Sequence, residues 1–199
     1  MIIRPVLIAT SDMPSEAYAA PFELALTGSN GIVRFFDSYG MPLEFAPIER
    51  LTYTGPVDYR TLDNPWYELY RFLQPIDVPV LAVVVDWVEQ SAYGWGGYPL
   101  AMVGQYAASR LLTVGTPEAL VDDFHAMGLM GHEVSHCMGF GHSDPSRRDI
   151  LNQGLYDWPE CYPSPDMVQA FKVKEAEVRR LSSVGPLVVI QGEPCPRPS

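Results

Sequence analysis

Two almost unbroken apolar runs, Ile2 to Ile8 and Val78 to Val85, set the frame of the chain. Runs of this length, rich in Val and Ile and bounded by turn residues, predict strands buried on both faces. The first ends at Thr10-Ser11-Asp12, and the second carries Pro79 only at its beginning, where a strand tolerates it. Between them Phe22, Ala25, Leu26, Ser29, Val33 and Phe36 fall on one helical face, weakened in the middle by Gly28 and Gly31 and closed by Gly40 as a C-terminal cap. Met41 to Tyr53 alternates well enough for a second strand. Asn64-Pro65 opens a short helix through Trp66, Leu69, Tyr70 and Leu73 that stops before Pro75.

Beyond Val85 the pattern changes. Ser91 to Pro99 holds Gly94, Gly96 and Gly97 and reads as an irregular loop, and Arg110 to Val114 reads as another strand. Thr116-Pro117-Glu118 is a helix start, with a capping Thr, Pro at the first position and an acid in the first turn. That helix would run to about Met138, irregular at Gly128 and Gly131. A second start at Ser164-Pro165-Asp166 predicts a last helix carrying Met167, Phe171, Lys174, Val178 and Leu181 before Gly185. Val188 to Ile190 reads as a short strand and Pro194 to Ser199 as a loose tail.

Composition narrows the class. With 199 residues, 47% hydrophobic and 19% charged, the chain suits one globular domain with a real core. A net charge of −11 argues against nucleic acid and against an anionic membrane surface, which would both repel it. No segment approaches a membrane span in length. The start, Met1 to Ala9, is too short in its apolar part for a signal peptide, so the chain stays inside the cell or has a leader that this sequence lacks. A monomer is expected. Of the three cysteines, Cys137 is read as a small core residue, while Cys161 and Cys195 can pair in an oxidising compartment.

The chemistry is concentrated in one run. Three of the four histidines fall within eleven residues, His132, His136 and His142, in the pattern HExxHxxGxxH. Residues four apart on a helix share a face about 6 Å apart, so His132 and His136 can present two imidazoles to one ion. Gly139 supplies the turn that brings His142 back as a third ligand, because glycine takes a left-handed backbone at a helix end without steric cost. Three imidazoles and no cysteine suit Zn²⁺ with one position left for water, the arrangement of a catalytic rather than a structural zinc. Glu133, beside the first ligand, is placed to accept that water's proton and return it to a leaving amine. His125, two turns earlier, is about 10 Å up the axis and too far to ligate.

This run resembles the zinc signature of the metzincin clan of metallopeptidases, which implies His132, His136 and His142 as metal ligands and Glu133 as general base. His142-Ser143-Asp144-Pro145 is similar to the matrixins in particular. The clan places a methionine-containing turn beneath the metal. Here Leu151 stands where that Met is expected, a swap that nearly conserves volume and keeps an apolar floor. Ser135 departs from the Gly found in many relatives.

The resemblance implies an α+β, zincin-like fold. A twisted mixed sheet and two long helices would lie above the cleft, in residues 1–139 of a single catalytic domain. A small lower part, residues 140–199, would carry one helix. An antiparallel edge strand would line the cleft near Pro99 to Gln105, where an extended peptide can add itself as a further strand. Asn152 to Pro163, with Tyr156, Trp158 and Tyr162, would either wall the pocket or pack against the last helix, and Tyr156 could donate to an oxyanion. Cys195 could place a thiolate on the metal, as a propeptide cysteine does in matrixins. The implied activity is that of a zinc-dependent endopeptidase acting on peptides or proteins. The alternatives are a zinc-stabilised binding or structural module without activity, and hydrolysis of a non-peptide amide by the same site.

Overall fold

Alternate residues of the two apolar runs point into two different cores, which is why the runs hold hardly any polar position. The computed structural model describes residues 1–13, 15–89, 94–113, 124–144, 147, 149–152 and 161–183. In chain order these form β1 (Ile2–Ala9), α1 (Glu16–Thr27), α2 (Ile32–Ser38), β2 (Glu44–Phe45) and β3 (Glu49–Thr52). A single 3-10 turn at Tyr59–Thr61 precedes α3 (Trp66–Phe72), β4 (Val80–Val84), β5 (Gly94–Gly97) and β6 (Leu100–Val103). Three helices follow, α4 (Gln105–Thr113), α5 (Phe124–Cys137) and α6 (Pro165–Ser183). No helix among them is long and apolar enough to cross a membrane.

The sheet is mixed but mostly parallel. β1 pairs in parallel with β2 and β3 on one side and with β4 on the other, β4 pairs in parallel with β6, and β5 closes the edge antiparallel to β6. Ile3, Leu7, Leu81, Val83, Ala101 and Val103 face the larger core, shared with Phe22 and Leu26 of α1, Met130 and Val134 of α5, and Phe171 of α6. Val6, Ile8, Val80, Ala82, Leu100 and Met102 face the smaller one, closed by Tyr53, Tyr59, Leu69 and Trp87. α5 lies across β5 and β6 on the first face. This packing is what brings the histidine run against the sheet edge.

Several expectations are corrected. The helix predicted across Phe22 to Phe36 is two helices, because Gly28 (ψ 172) and Gly31 (ψ 176) are extended and break the ladder. A Cβ at either glycine would come within 3.0 Å of a backbone oxygen, so the break requires both. Gly40, at φ 73, does cap the second helix. The strand expected over Met41 to Tyr53 is interrupted between β2 and β3, around Pro47, which has no N–H to give a ladder.

Residues 110–113 are the end of a helix, not a strand. Ala107 and Ala108 are buried in the larger core and the Ala108 N–H bonds the Gly104 carbonyl, so the segment continues a helix that tertiary packing has already begun. The antiparallel edge strand lies at Gly94–Gly97, inside the segment read as a loop. Leu100–Val103, where the edge was placed, is an inner strand with all four residues buried. α5 runs through Gly128 and Gly131 as regular helix. The helix start at Thr116, the strand at Val188 and Cys195 lie outside the described residues, as does the side chain of His125.

Asp86 latches the carboxyl ends of β1 and β4 together. Its Oδ2 accepts from the Thr10 hydroxyl at 2.6 Å and the Thr10 N–H at 3.2 Å, and its Oδ1 takes a short hydrogen bond from the Tyr59 hydroxyl. Burial, and then the Asp86 carboxylate, push the Tyr59 phenol far above its ordinary range. Asp86→Ala leaves the fully buried Tyr59 phenol without its partner, and is expected to cost about 3 kcal/mol. In a chain of this size that corresponds to a fall in melting temperature of roughly 6–12 °C by calorimetry. An unchanged melting temperature would show that the latch carries no stability.

Candidate metal centre

α5 sets two histidines one turn apart on the face it turns toward β5. Its end is a left-handed glycine closure: Gly139 sits at φ 84, its N–H bonds the His136 carbonyl at 2.8 Å, and the Phe140 N–H bonds the Ser135 carbonyl at 3.2 Å. Lys174 of α6 reaches across, donating to the Met138 carbonyl at 2.7 Å and lying 5.1 Å over the Phe140 ring. The turn folds the chain back so that His142 meets the other two imidazoles. The ligand atoms of His132, His136 and His142 all lie within 4.8 Å of one another.

The hydrogen bonds fix which nitrogens face inward. His132 Nδ1 bonds the Ile150 carbonyl at 2.7 Å, and His136 Nδ1 bonds the Phe140 carbonyl at 2.7 Å. A carbonyl can only accept, so each Nδ1 carries the proton and each Nε2 presents a lone pair. His136 Nε2 lies 3.1 Å from that of His132 and 3.2 Å from that of His142. Ligands 2.0–2.1 Å from a tetrahedral ion are about 3.3 Å apart, so the spacing fits one cation among them. Burial, reinforced by the neighbouring imidazoles, pushes His132 down to about 4, and burial also lowers His136. Both are therefore neutral, as ligands must be, at ordinary pH. His132 and His136 are buried and His142 is exposed.

Glu133, next to His132 on α5, is 3% exposed, and among the described residues its Oε2 has no hydrogen-bond partner. Burial raises its proton affinity well above that of an ordinary carboxyl group. A buried carboxylate oxygen without a partner, one residue from His132, is what a water held by a cation would satisfy.

The segment 149–152 ties the arrangement together. Besides the Ile150 carbonyl on His132, the Ser143 N–H bonds the Leu151 carbonyl at 3.1 Å, and the Ser143 hydroxyl bonds Asp149 at 2.5 Å. Leu151 is 6% exposed and belongs to the larger core. Sequence reasoning missed the carbonyls of Phe140 and Ile150, because backbone oxygens leave no signature in residue type. It also missed Gly94 and Gly96, which meet Glu133 and His136 across the sheet edge. Their signal was a glycine at every second position, read as a loop. Tyr156 and Trp158 lie outside the described residues, and Tyr162 is 43% exposed.

No protein-family model matches the sequence, and no curated relative is found for it. Solved structures do resemble it. Archaemetzincin from Methanopyrus kandleri aligns with a TM-score of 0.55 at 13% identity, over 87% of this chain and 96% of that one. Archaemetzincin from Archaeoglobus fulgidus, complexed with malonate, aligns with a TM-score of 0.52 at 15% identity, over 85% and 99%. At these identities the likeness is one of fold: a mixed α/β chain with a mostly parallel sheet, similar to the archaemetzincins over nearly their whole length.

Proposed function

We propose that the chain is a zinc-dependent peptidase of metzincin type in which His132, His136 and His142 hold the metal and Glu133 is the general base. The convergence of three Nε2 lone pairs, two of them oriented by carbonyls on Nδ1, is the observation that carries this reading. The names of the structural neighbours support it. Within the clan, Ser143 after the third histidine is the feature shared with matrixins.

When bound, zinc polarises a carbonyl and lowers the pKa of water to roughly 7. Glu133, held in a dry pocket with raised proton affinity, takes the proton from the attacking water and delivers it to the departing amine. β5 is the edge of the sheet and offers its outer backbone groups to an extended peptide, which favours cleavage within a chain. In this reading α1 and α5 are the two helices above the cleft. Residues 1–139 form its upper part and 140–199 its lower part, and Leu151 forms the apolar floor. The substrate is a peptide or protein, and the enzyme acts as a monomer without nucleic acid or membrane.

The test pairs metal analysis of the purified chain with cleavage of denatured casein and a mixed peptide library. One zinc per chain is expected, with cleavage abolished by 1,10-phenanthroline and restored by added Zn²⁺. A chain that takes up no metal refutes the site. One that binds zinc and cuts none of these substrates refutes the peptidase assignment.

A further inference from the structure

Gly94 and Gly96 lie on the edge strand with their bare Cα atoms toward α5, while Trp95 joins the smaller core on the other face. A Cβ built on Gly96 would lie 2.1 Å from Cδ2, 2.4 Å from Cγ and 2.5 Å from Cβ of His136. On Gly94 it would lie 2.4 Å from Oε1 and 2.8 Å from Cδ of Glu133, and 2.9 Å from the Met102 carbonyl oxygen. Carbon atoms in contact sit about 3.5–4.0 Å apart, so neither position has room for a methyl group. Gly97 differs: its nearest neighbour would be Trp66 Cζ2 at 3.9 Å, an ordinary contact.

The two tight positions would yield differently. His136 cannot turn aside, because its Nδ1 is held by the Phe140 carbonyl and its Cβ, fixed to the helix, is itself in the clash. An added methyl at 96 must therefore move the metal-facing ring or push strand and helix apart. At 94 the two nearest atoms are the far end of a flexible side chain, and the third is the Met102 carbonyl oxygen on β6, which yields only by a small shift of the edge strand. The Glu133 carboxylate can swing away, leaving the imidazoles where they are.

We propose that Gly94 and Gly96 are positioning residues with separate duties: the bare backbone of β5 is the wall that sets the His136 ring at Gly96 and the Glu133 carboxylate at Gly94. This rests on the reading of the histidines as metal ligands and of Glu133 as base. It assigns to the edge strand a role in shaping the site, in addition to any pairing with a peptide.

Gly94→Ala, Gly96→Ala and Gly97→Ala are compared with the wild type by zinc competition titration, and by kcat and KM on fluorescein-labelled casein. Gly96→Ala should weaken zinc binding about 10–100-fold, the usual cost of disturbing a ligand's support, while Gly97→Ala binds zinc as the wild type does. Gly94→Ala should keep its zinc affinity and lose about 100-fold in kcat with KM little changed, as for a misplacement of about 1 Å at the reacting group. General loosening of the fold would instead lower zinc affinity and kcat alike in both variants, and that result overturns the proposal. So does wild-type behaviour of Gly94→Ala and Gly96→Ala. If Gly96→Ala does not fold, the split between zinc affinity and kcat in Gly94→Ala decides. If the wild type binds zinc and leaves casein intact, the peptidase reading falls alone, and the glycine assignment is judged on zinc affinity at 96 against 97. A wild type without zinc affinity removes both.

Discussion

Glu133→Gln should retain one zinc per chain and lose about 10²–10⁴-fold in peptide hydrolysis, the range attributed to a positioned general base. The substitution is nearly isosteric, so the fit of the side chain against Gly94 is kept. It also removes a group whose ionisation is opposed by complete burial. The unfolding midpoint of the metal-free protein should therefore be no lower than that of the wild type, and may not be used to explain the lost rate. Zinc content by atomic absorption, casein cleavage and a thermal melt on the same sample separate these effects. Undiminished cleavage would place the proton acceptor elsewhere and end the role given to Glu133.

How far the sequence can be read depends on where each residue's neighbours come from. Pro5 to Ala9 and Val80 to Val84 are buried on both faces, so their composition alone announces a central strand. The HExxHxxGxxH spacing is equally local, because helix pitch and one left-handed glycine bring the rings together. What was misread depends on distant partners. Arg110 to Val114, too short to show a helical period of its own, reads as a strand, yet residues 110–113 end α4, which is fixed by its packing on α1 and α5. Gly94 to Gly97 resembles a loop because its side chains are missing, and the reason for their absence, Glu133 and His136, lies some forty residues away in sequence. The interruption between α1 and α2 follows the same logic, since only the packed structure shows Gly28 and Gly31 pressed against backbone oxygens.

Removing the metal should cost the protein more stability than most single substitutions, and His136→Ala should erase the difference between metal-loaded and metal-free samples. The Nε2 atoms of His132 and His142 lie 3.1 and 3.2 Å from that of His136, a crowding of ring nitrogens that a cation among them would relieve. Binding to the folded state alone at a thousand times Kd adds about 4 kcal/mol. For a chain of this length that is roughly 8–16 °C in melting temperature between zinc-loaded and EDTA-stripped protein. His136 is the ligand closest to both others and is oriented by the Phe140 carbonyl, so its loss removes both of the short Nε2–Nε2 contacts. His142 is exposed and leaves a buried pair behind, so His142→Ala should weaken zinc binding and keep part of the shift. Differential scanning calorimetry with and without zinc orders the three proteins. A zinc-dependent shift in His136→Ala as large as in the wild type would mean that the stabilising ion binds somewhere other than this cluster.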